Sequence, residues 1–212
     1  MKELQEQANS STTNFSMEDF FLVEKGFLSA EKCSDILKNF ENVKDLSKKN
    51  KRIVEGVNKV INELKLDENI GEYWSSLEAE VDQKITPFVD RYLEKFGTVN
   101  RKNYNLDSLV LWSQERMEYS PVHYDKEWIT DDDGGYQSRN FLCLLYLDDD
   151  YEGGEVLFPL QNKVVKPERG MLLIFPTSYM FPHSTTPVIG DSRHLLRLTL
   201  TFDKNTLNTK FS

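Results

Sequence analysis

Near residue 105 the spacing of apolar side chains changes from a period of about 3.6 to a period of 2, so a helix-forming stretch is followed by a strand-forming one. Ahead of the change, residues 20–23 read as a short strand, and Ser29 is a good N-cap for a helix carrying Cys33, Ile36, Leu37 and Phe40 on one face. Ile53, Val57, Val60, Ile61 and Leu64 predict a second helix, and Tyr73, Trp74, Leu77, Val81 and Ile85 a third. Thr86-Pro87 predicts a kink or a restart, after which Phe88, Val89, Tyr92, Leu93 and Phe96 continue the pattern until Gly97 stops it. Beyond the change, apolar runs at 108–112, 141–147, 155–160, 171–175 and 195–202 are separated by turn signals such as Asp133-Gly134-Gly135 and Gly190-Asp191. Short strands with long connections fit a closed or two-sheet β core of the jelly-roll kind. The N-terminal helices then pack outside the sheet, an α+β architecture.

The 212 residues, 39% hydrophobic and 29% charged, suit one domain. The sequence divides into a flexible polar tail at 1–17, a single domain at 18–205 and a short tail at 206–212. Within the domain the helical part is expected at 29–97 and the β core at about 105–203. No apolar run reaches the ~20 residues that cross a bilayer, and residues 1–7 carry no apolar secretion signal. We therefore expect a cytoplasmic protein with no membrane partner. Cys33 and Cys143 lack metal or disulfide spacing and read as small core residues. A net charge of −9 disfavours nucleic acid as a partner, because binding to phosphate backbones needs clustered Lys and Arg.

Only three histidines are present, so any metal or base chemistry that needs imidazole is restricted to them. His123-Tyr124-Asp125 places an imidazole and a carboxylate on one face of an extended segment. His183 lies 60 residues later, just beyond an apolar strand. Two histidines and one carboxylate form the facial triad that non-haem iron(II) oxygenases use, leaving coordination positions open. Arg193, ten residues past His183, can grip a remote carboxylate in a bidentate fork while the other end of a dicarboxylic cosubstrate chelates the metal. On the last strand Arg193, Leu195, Arg197, Thr199 and Thr201 alternate with His194, Leu196, Leu198, Leu200 and Phe202. If Arg193 points into the barrel, His194 points out of it.

The ordered series His123-x-Asp125, His183 and Arg193 resembles the signature of the iron(II)/2-oxoglutarate dioxygenases, specifically the prolyl 4-hydroxylase-like branch. That branch is similar also at Arg139, Leu145-Tyr146-Leu147-Asp148, Glu152-Gly153-Gly154-Glu155, Phe158-Pro159, Gly170 and Phe175-Pro176. The resemblance covers roughly residues 18–203. It implies a double-stranded β-helix in which His123, Asp125 and His183 bind Fe(II). Arg193 pairs with the remote carboxylate of 2-oxoglutarate and Tyr146 adds a hydroxyl to it. It also implies O2 as second cosubstrate, ascorbate as reductant, and succinate as product.

The branch often carries a tyrosine nine or ten residues before the first histidine, where this chain has Gln114 and Ser113, and Tyr119 stands near enough to substitute. Arg197 is a further departure. It touches the cosubstrate, positions a substrate carbonyl or carboxylate, or pairs with an acid, and Thr199 can line the same pocket. Trp128 and Tyr136 lie in the acidic connection after the metal pair, where a loop can close over substrate. The leading expectation is hydroxylation of a prolyl residue in a peptide or protein. The alternatives are a small-molecule or free amino-acid hydroxylase, with Arg197 as carboxylate anchor, and a non-catalytic module that binds metal and dicarboxylate.

Overall fold

A computed structural model describes residues 16–46, 48–54, 57–66, 70–96, 104–106, 109–125, 128–130 and 136–202, the side chains of 48–62, 128–130, 136–137 and 202 excepted. The chain enters through a 3-10 turn, Met17–Phe20, and strand β1, Leu22–Glu24, then forms helix α1, Ala30–Glu41. Strands β2, Lys48–Val54, and β3, Val57–Lys65, precede the long helix α2, Glu72–Glu94. Then follow β4 Tyr104–Leu106, β5 Val110–Gln114, β6 Ser120–His123, β7 Trp128–Thr130, β8 Tyr136–Tyr146 and β9 Tyr151–Gly153. The chain continues through β10 Val156–Phe158, β11 Lys163–Val165, β12 Leu172–Pro176, β13 His183–Thr185, β14 Val188–Gly190 and β15 Arg193–Phe202.

A nine-stranded sheet runs β1-β12-β8-β15-β5-β3-β2, with β4 on β15 and β7 on β8. It faces a four-stranded sheet, β11-β10-β13-β6, and β9 pairs with β14. The recorded pairings are antiparallel. The period of 2 explains how one sheet serves two cores. Cys143, Leu145, Leu172, Ile174, Leu196, Leu198 and Leu200 point outward and pack with Ile36 and Phe40 of α1 and Trp74, Val81, Ile85 and Tyr92 of α2. Their strand neighbours Leu142, Leu144, Tyr146, Leu173, Phe175 and Leu195 point inward onto Val156, Phe158 and Val165. The architecture is thus α+β, a double-stranded β-helix with helices on its outer face. Both cysteines are fully buried, and burial pushes the Cys33 thiol up to about 11.

Ser29 caps α1 by accepting from the Lys32 amide at 3.2 Å. The second expected helix is instead the hairpin β2–β3, with Val54 opposite Val57 and β3 paired in turn to β5. Ile53, Val57, Val60, Ile61 and Leu64 fit a helical spacing, but Ile and Val are stiff at χ1 and favour strands. The two residues between Val54 and Val57 are a hairpin length. Of the kink or restart expected at Thr86-Pro87, the restart is corrected: α2 runs through as one helix with Pro87 inside it. Pro87 removes one backbone donor, yet Ile85 and Val89, both fully buried, hold the segment against the sheet on either side. The stop expected at Gly97 lies outside the described residues.

Gly170 joins the N-terminal segment to the sheet. Its amide donates to Tyr146 O at 2.8 Å and its carbonyl accepts from Leu28 N at 3.0 Å. Its φ is +77°, and a Cβ there falls 2.1 Å from Leu28 O, a backbone atom that cannot swing away. Gly170→Ala is expected to cost on the order of 3 kcal/mol, the sum of left-handed strain and overpacking. Thermal unfolding should fall by roughly 6–12 °C. A melting temperature within a degree of wild type contradicts the close approach.

Candidate active site

Strands β6 and β13 pair with His123 opposite His183, their ring centroids 4.5 Å apart. Asp125, just past the end of β6, brings its Oδ2 to 3.8 Å from His183 Nε2. One ligand atom from each of the three residues lies within 4.8 Å of the other two. Each imidazole is held from behind. His123 Nδ1 is 2.7 Å from Pro121 O, and His183 Nδ1 is 3.2 Å from Phe181 O. A carbonyl only accepts, so both Nδ1 atoms carry the proton and both Nε2 atoms present a lone pair, the arrangement that orients histidine as a metal ligand. Asp125 Oδ2 is buried without a hydrogen-bond partner among the described residues, which is costly for a carboxylate unless a cation compensates it. Two imidazoles and one carboxylate on one side of an ion fit Fe(II) with positions left open. Phe158 and Phe175 pack on the His183 ring at 5.7 and 5.0 Å and keep that side dry.

Residues 97–202, half of the chain, match the model of the 2OG-Fe(II) oxygenase superfamily. The chain belongs to this superfamily. The superfamily's name is that of oxygenases that use Fe(II) and 2-oxoglutarate. Prolyl 3-hydroxylase 3 of Homo sapiens is 28% identical over 148 residues, covering 61% of this chain and 20% of that protein. The chain thus spans about a fifth of the length of the curated relatives it matches. Two solved structures share the fold. The viral collagen prolyl hydroxylase of Paramecium Bursaria Chlorella virus-1, in complex with 2OG, is 18% identical, with a TM-score of 0.61 over 86% of this chain and 96% of that one. A prolyl hydroxylase from Trichoplax adhaerens, in complex with a hypoxia inducible factor peptide fragment, is 21% identical, with a TM-score of 0.63 over 100% and 97%.

In this oxygenase Arg193 opens β15, is only 4% exposed, and donates from Nη1 to Gly154 O at 2.6 Å and from Nη2 to Gln114 Oε1. Gln114 is itself oriented, its Nε2 donating to Glu118 O at 2.7 Å. Tyr146 ends β8 with its hydroxyl fully buried. Burial pushes that phenol up to about 12 although the Arg193 charge pulls the other way, so it is a proton donor at neutral pH. Arg197, on the same face of β15, lies with its guanidinium 5.0 Å from the Trp112 ring centroid, a cation–π stack that supports the charge inside the fold. Thr199 is buried one step further along that face, opposite Leu142.

Tyr119 is 39% exposed, and no hydrogen bond joins it to the cluster among the described residues. Trp128 pairs with Ser138 and Thr130 with Tyr136 through the backbone, while the side chains of Trp128 and Tyr136 lie outside the described residues. His194 faces the helices, with Nδ1 2.6 Å from Asp148 Oδ2 and its ring on Phe40 at 5.6 Å. That is the outward side its alternation with Arg193 predicts. Sequence reasoning treated Gln114 only as a departure and did not single out Tyr151, which also reaches the Arg193 neighbourhood. The signal for Tyr151 was its place beside Gly153-Gly154, two glycines that let backbone and rings crowd together. Among the described residues no helix is long and apolar enough to cross a membrane.

Proposed function

We propose that this oxygenase hydroxylates a prolyl residue of a peptide or protein, with His123, Asp125 and His183 as the iron ligands and Arg193 and Tyr146 on the remote carboxylate of 2-oxoglutarate. Held by these residues, Fe(II) would supply the O2-activating chemistry by which one oxygen atom enters a substrate C–H bond and the other enters succinate, with 2-oxoglutarate losing CO2. The chain's own work is positional. The carbonyls of Pro121 and Phe181 fix the imidazole tautomers, Arg193 fixes the far end of the cosubstrate, and Phe158 and Phe175 exclude water from the His183 side. Ascorbate serves as the reductant that restores Fe(II), and the setting is cytoplasmic.

The observation that carries the prolyl reading is that relatives by sequence and by fold are both prolyl hydroxylases, one of them bound to a peptide. The site geometry suits an extended polymer. β6 is an edge of the four-stranded sheet, and its Val122 and the adjoining Tyr124 are 49% and 55% exposed on either side of His123. The test is a mass-spectrometric screen of proline-containing peptides against free amino acids, with Fe(II), 2-oxoglutarate and ascorbate. Gain of one oxygen on peptidyl proline is expected, with 3- and 4-hydroxyproline standards giving the position. Oxidation of free amino acids alone would favour the small-molecule alternative. Absence of succinate with every substrate would favour the non-catalytic module.

A further inference from the structure

The surroundings of Arg193 hold more hydrogen-bond donors than the chain itself uses. A guanidinium has five N–H donors. Gly154 O and Gln114 Oε1 each take one, and Nε is buried with no partner among the described residues. Near it stand two phenols with buried hydroxyls, the fully buried Tyr146 and the half-buried Tyr151, and neither hydroxyl has a hydrogen-bond partner among the described residues. Tyr151 belongs to this group by position. The point where a Cβ on Gly154 would sit is 2.9 Å from Tyr151 Cε2, the carbon next to the one bearing the hydroxyl, and 3.4 Å from Arg193 Nη1. The ring edge that carries the hydroxyl and the guanidinium therefore border the same point, and the Arg193 charge acts on the phenol. Gly154 has no side chain to separate them, and its φ of +69° disfavours any other residue there.

The balance of charge supports the same reading. Burial pushes both phenols up, the Arg193 charge opposes that push on each, and Tyr146 acts on Tyr151. Both therefore stay protonated at neutral pH and offer O–H donors. Several buried donors and one positive charge converging on one place, with their acceptors unassigned, make a site for an anion that accepts several hydrogen bonds, as a carboxylate does.

We propose that Tyr151 is a binding residue for 2-oxoglutarate, its hydroxyl donating to the remote carboxylate alongside Arg193 and Tyr146, while Gln114 is a positioning residue that holds the guanidinium. This rests on the reading of Arg193 as the grip for that carboxylate. Tyr151 is the second hydroxyl of the pocket, and it comes from β9.

Titration calorimetry of 2-oxoglutarate into the Mn(II)-loaded full chain measures binding without turnover. Tyr151→Phe is expected to weaken the Kd about ten- to a hundred-fold, the worth of one charge-assisted hydrogen bond. Binding of 2-oxopentanoate, in which a methyl replaces the remote carboxylate, should be the same in both proteins. The melting temperature of the ligand-free Tyr151→Phe protein should not fall, because no internal hydrogen bond is lost. An unchanged Kd for 2-oxoglutarate in Tyr151→Phe, with Arg193→Ala much weakened, overturns the proposal alone. An equal loss for both oxo acids overturns it too, since the effect then lies elsewhere in the pocket. Wild-type affinity in Arg193→Ala overturns the reading of the carboxylate's place and the proposal with it.

Discussion

His183→Ala abolishes 2-oxoglutarate turnover, lowering it by well over the ~100-fold that loss of a residue merely supporting a metal ligand costs. The imidazole is one of three groups whose ligand atoms lie within 4.8 Å of one another, and two that remain cannot hold the ion in the same way. The effect is separable from damage to the fold. His183 is 6% exposed and packed between Phe158 and Phe175, so its loss also leaves a cavity and lowers the melting temperature. Metal binding is therefore read as a difference. At a concentration about 100 times its Kd, Mn(II) stabilises the native protein by about 2.7 kcal/mol, or roughly 5–10 °C in a chain of this size. That increment should vanish in His183→Ala and also in Asp125→Asn, which keeps the side-chain volume. Either variant retaining both the increment and succinate formation removes that residue from the metal site.

Arg193→Ala is the second large effect. Truncating one side of a buried charged hydrogen-bonded pair costs about 2–5 kcal/mol. The 2-oxoglutarate concentration for half-maximal turnover should thus rise about 30-fold or more. Gly154 O and Gln114 Oε1 also lose their partner, so stability falls by about 1–3 kcal/mol. Steady-state kinetics across 2-oxoglutarate concentrations measures the first, urea unfolding the second. The reverse pattern, a requirement unchanged in Arg193→Ala and raised in Arg197→Ala, moves the grip to Arg197.

The convergence of His123, Asp125 and His183 was legible because such residues are rare in this chain. With three histidines in the chain, the pairing of His123-x-Asp125 with His183 and Arg193 left few other assignments, and the alternation along β15 already turned His194 away. The strands of the β core were legible for the same reason that they form: period-2 runs bounded by turn residues. The hairpin β2–β3 was not, because Val57, Val60, Ile61 and Leu64 follow a helical spacing and not a period of 2. What decides for a strand is pairing of β3 with β5, nearly fifty residues away. Local periodicity carries no trace of such a partner. Gln114 and Tyr151 escaped for a related reason. Gln114 bonds to Arg193, 79 positions away, and Tyr151 comes near it from 42 positions away, and no local pattern announces either approach.

The sorting of β8, β12 and β15 into an outward and an inward face has a consequence for the enzyme's own durability. Chemistry that activates oxygen endangers nearby thiols first, since they climb the oxidation ladder readily. Cys143 sits on β8 and Cys33 on α1, and both belong to the outer cluster, so they lie on the opposite face of the nine-stranded sheet from the inner cluster. Burial, which keeps the Cys33 thiol protonated, makes it less reactive still. The inner cluster offers an oxidant Met171, a thioether whose first oxidation product is repairable, in place of a thiol. One shift of register along β8 would carry Cys143 to the inner face, so the pleat that builds the core also shields it from the reaction it encloses.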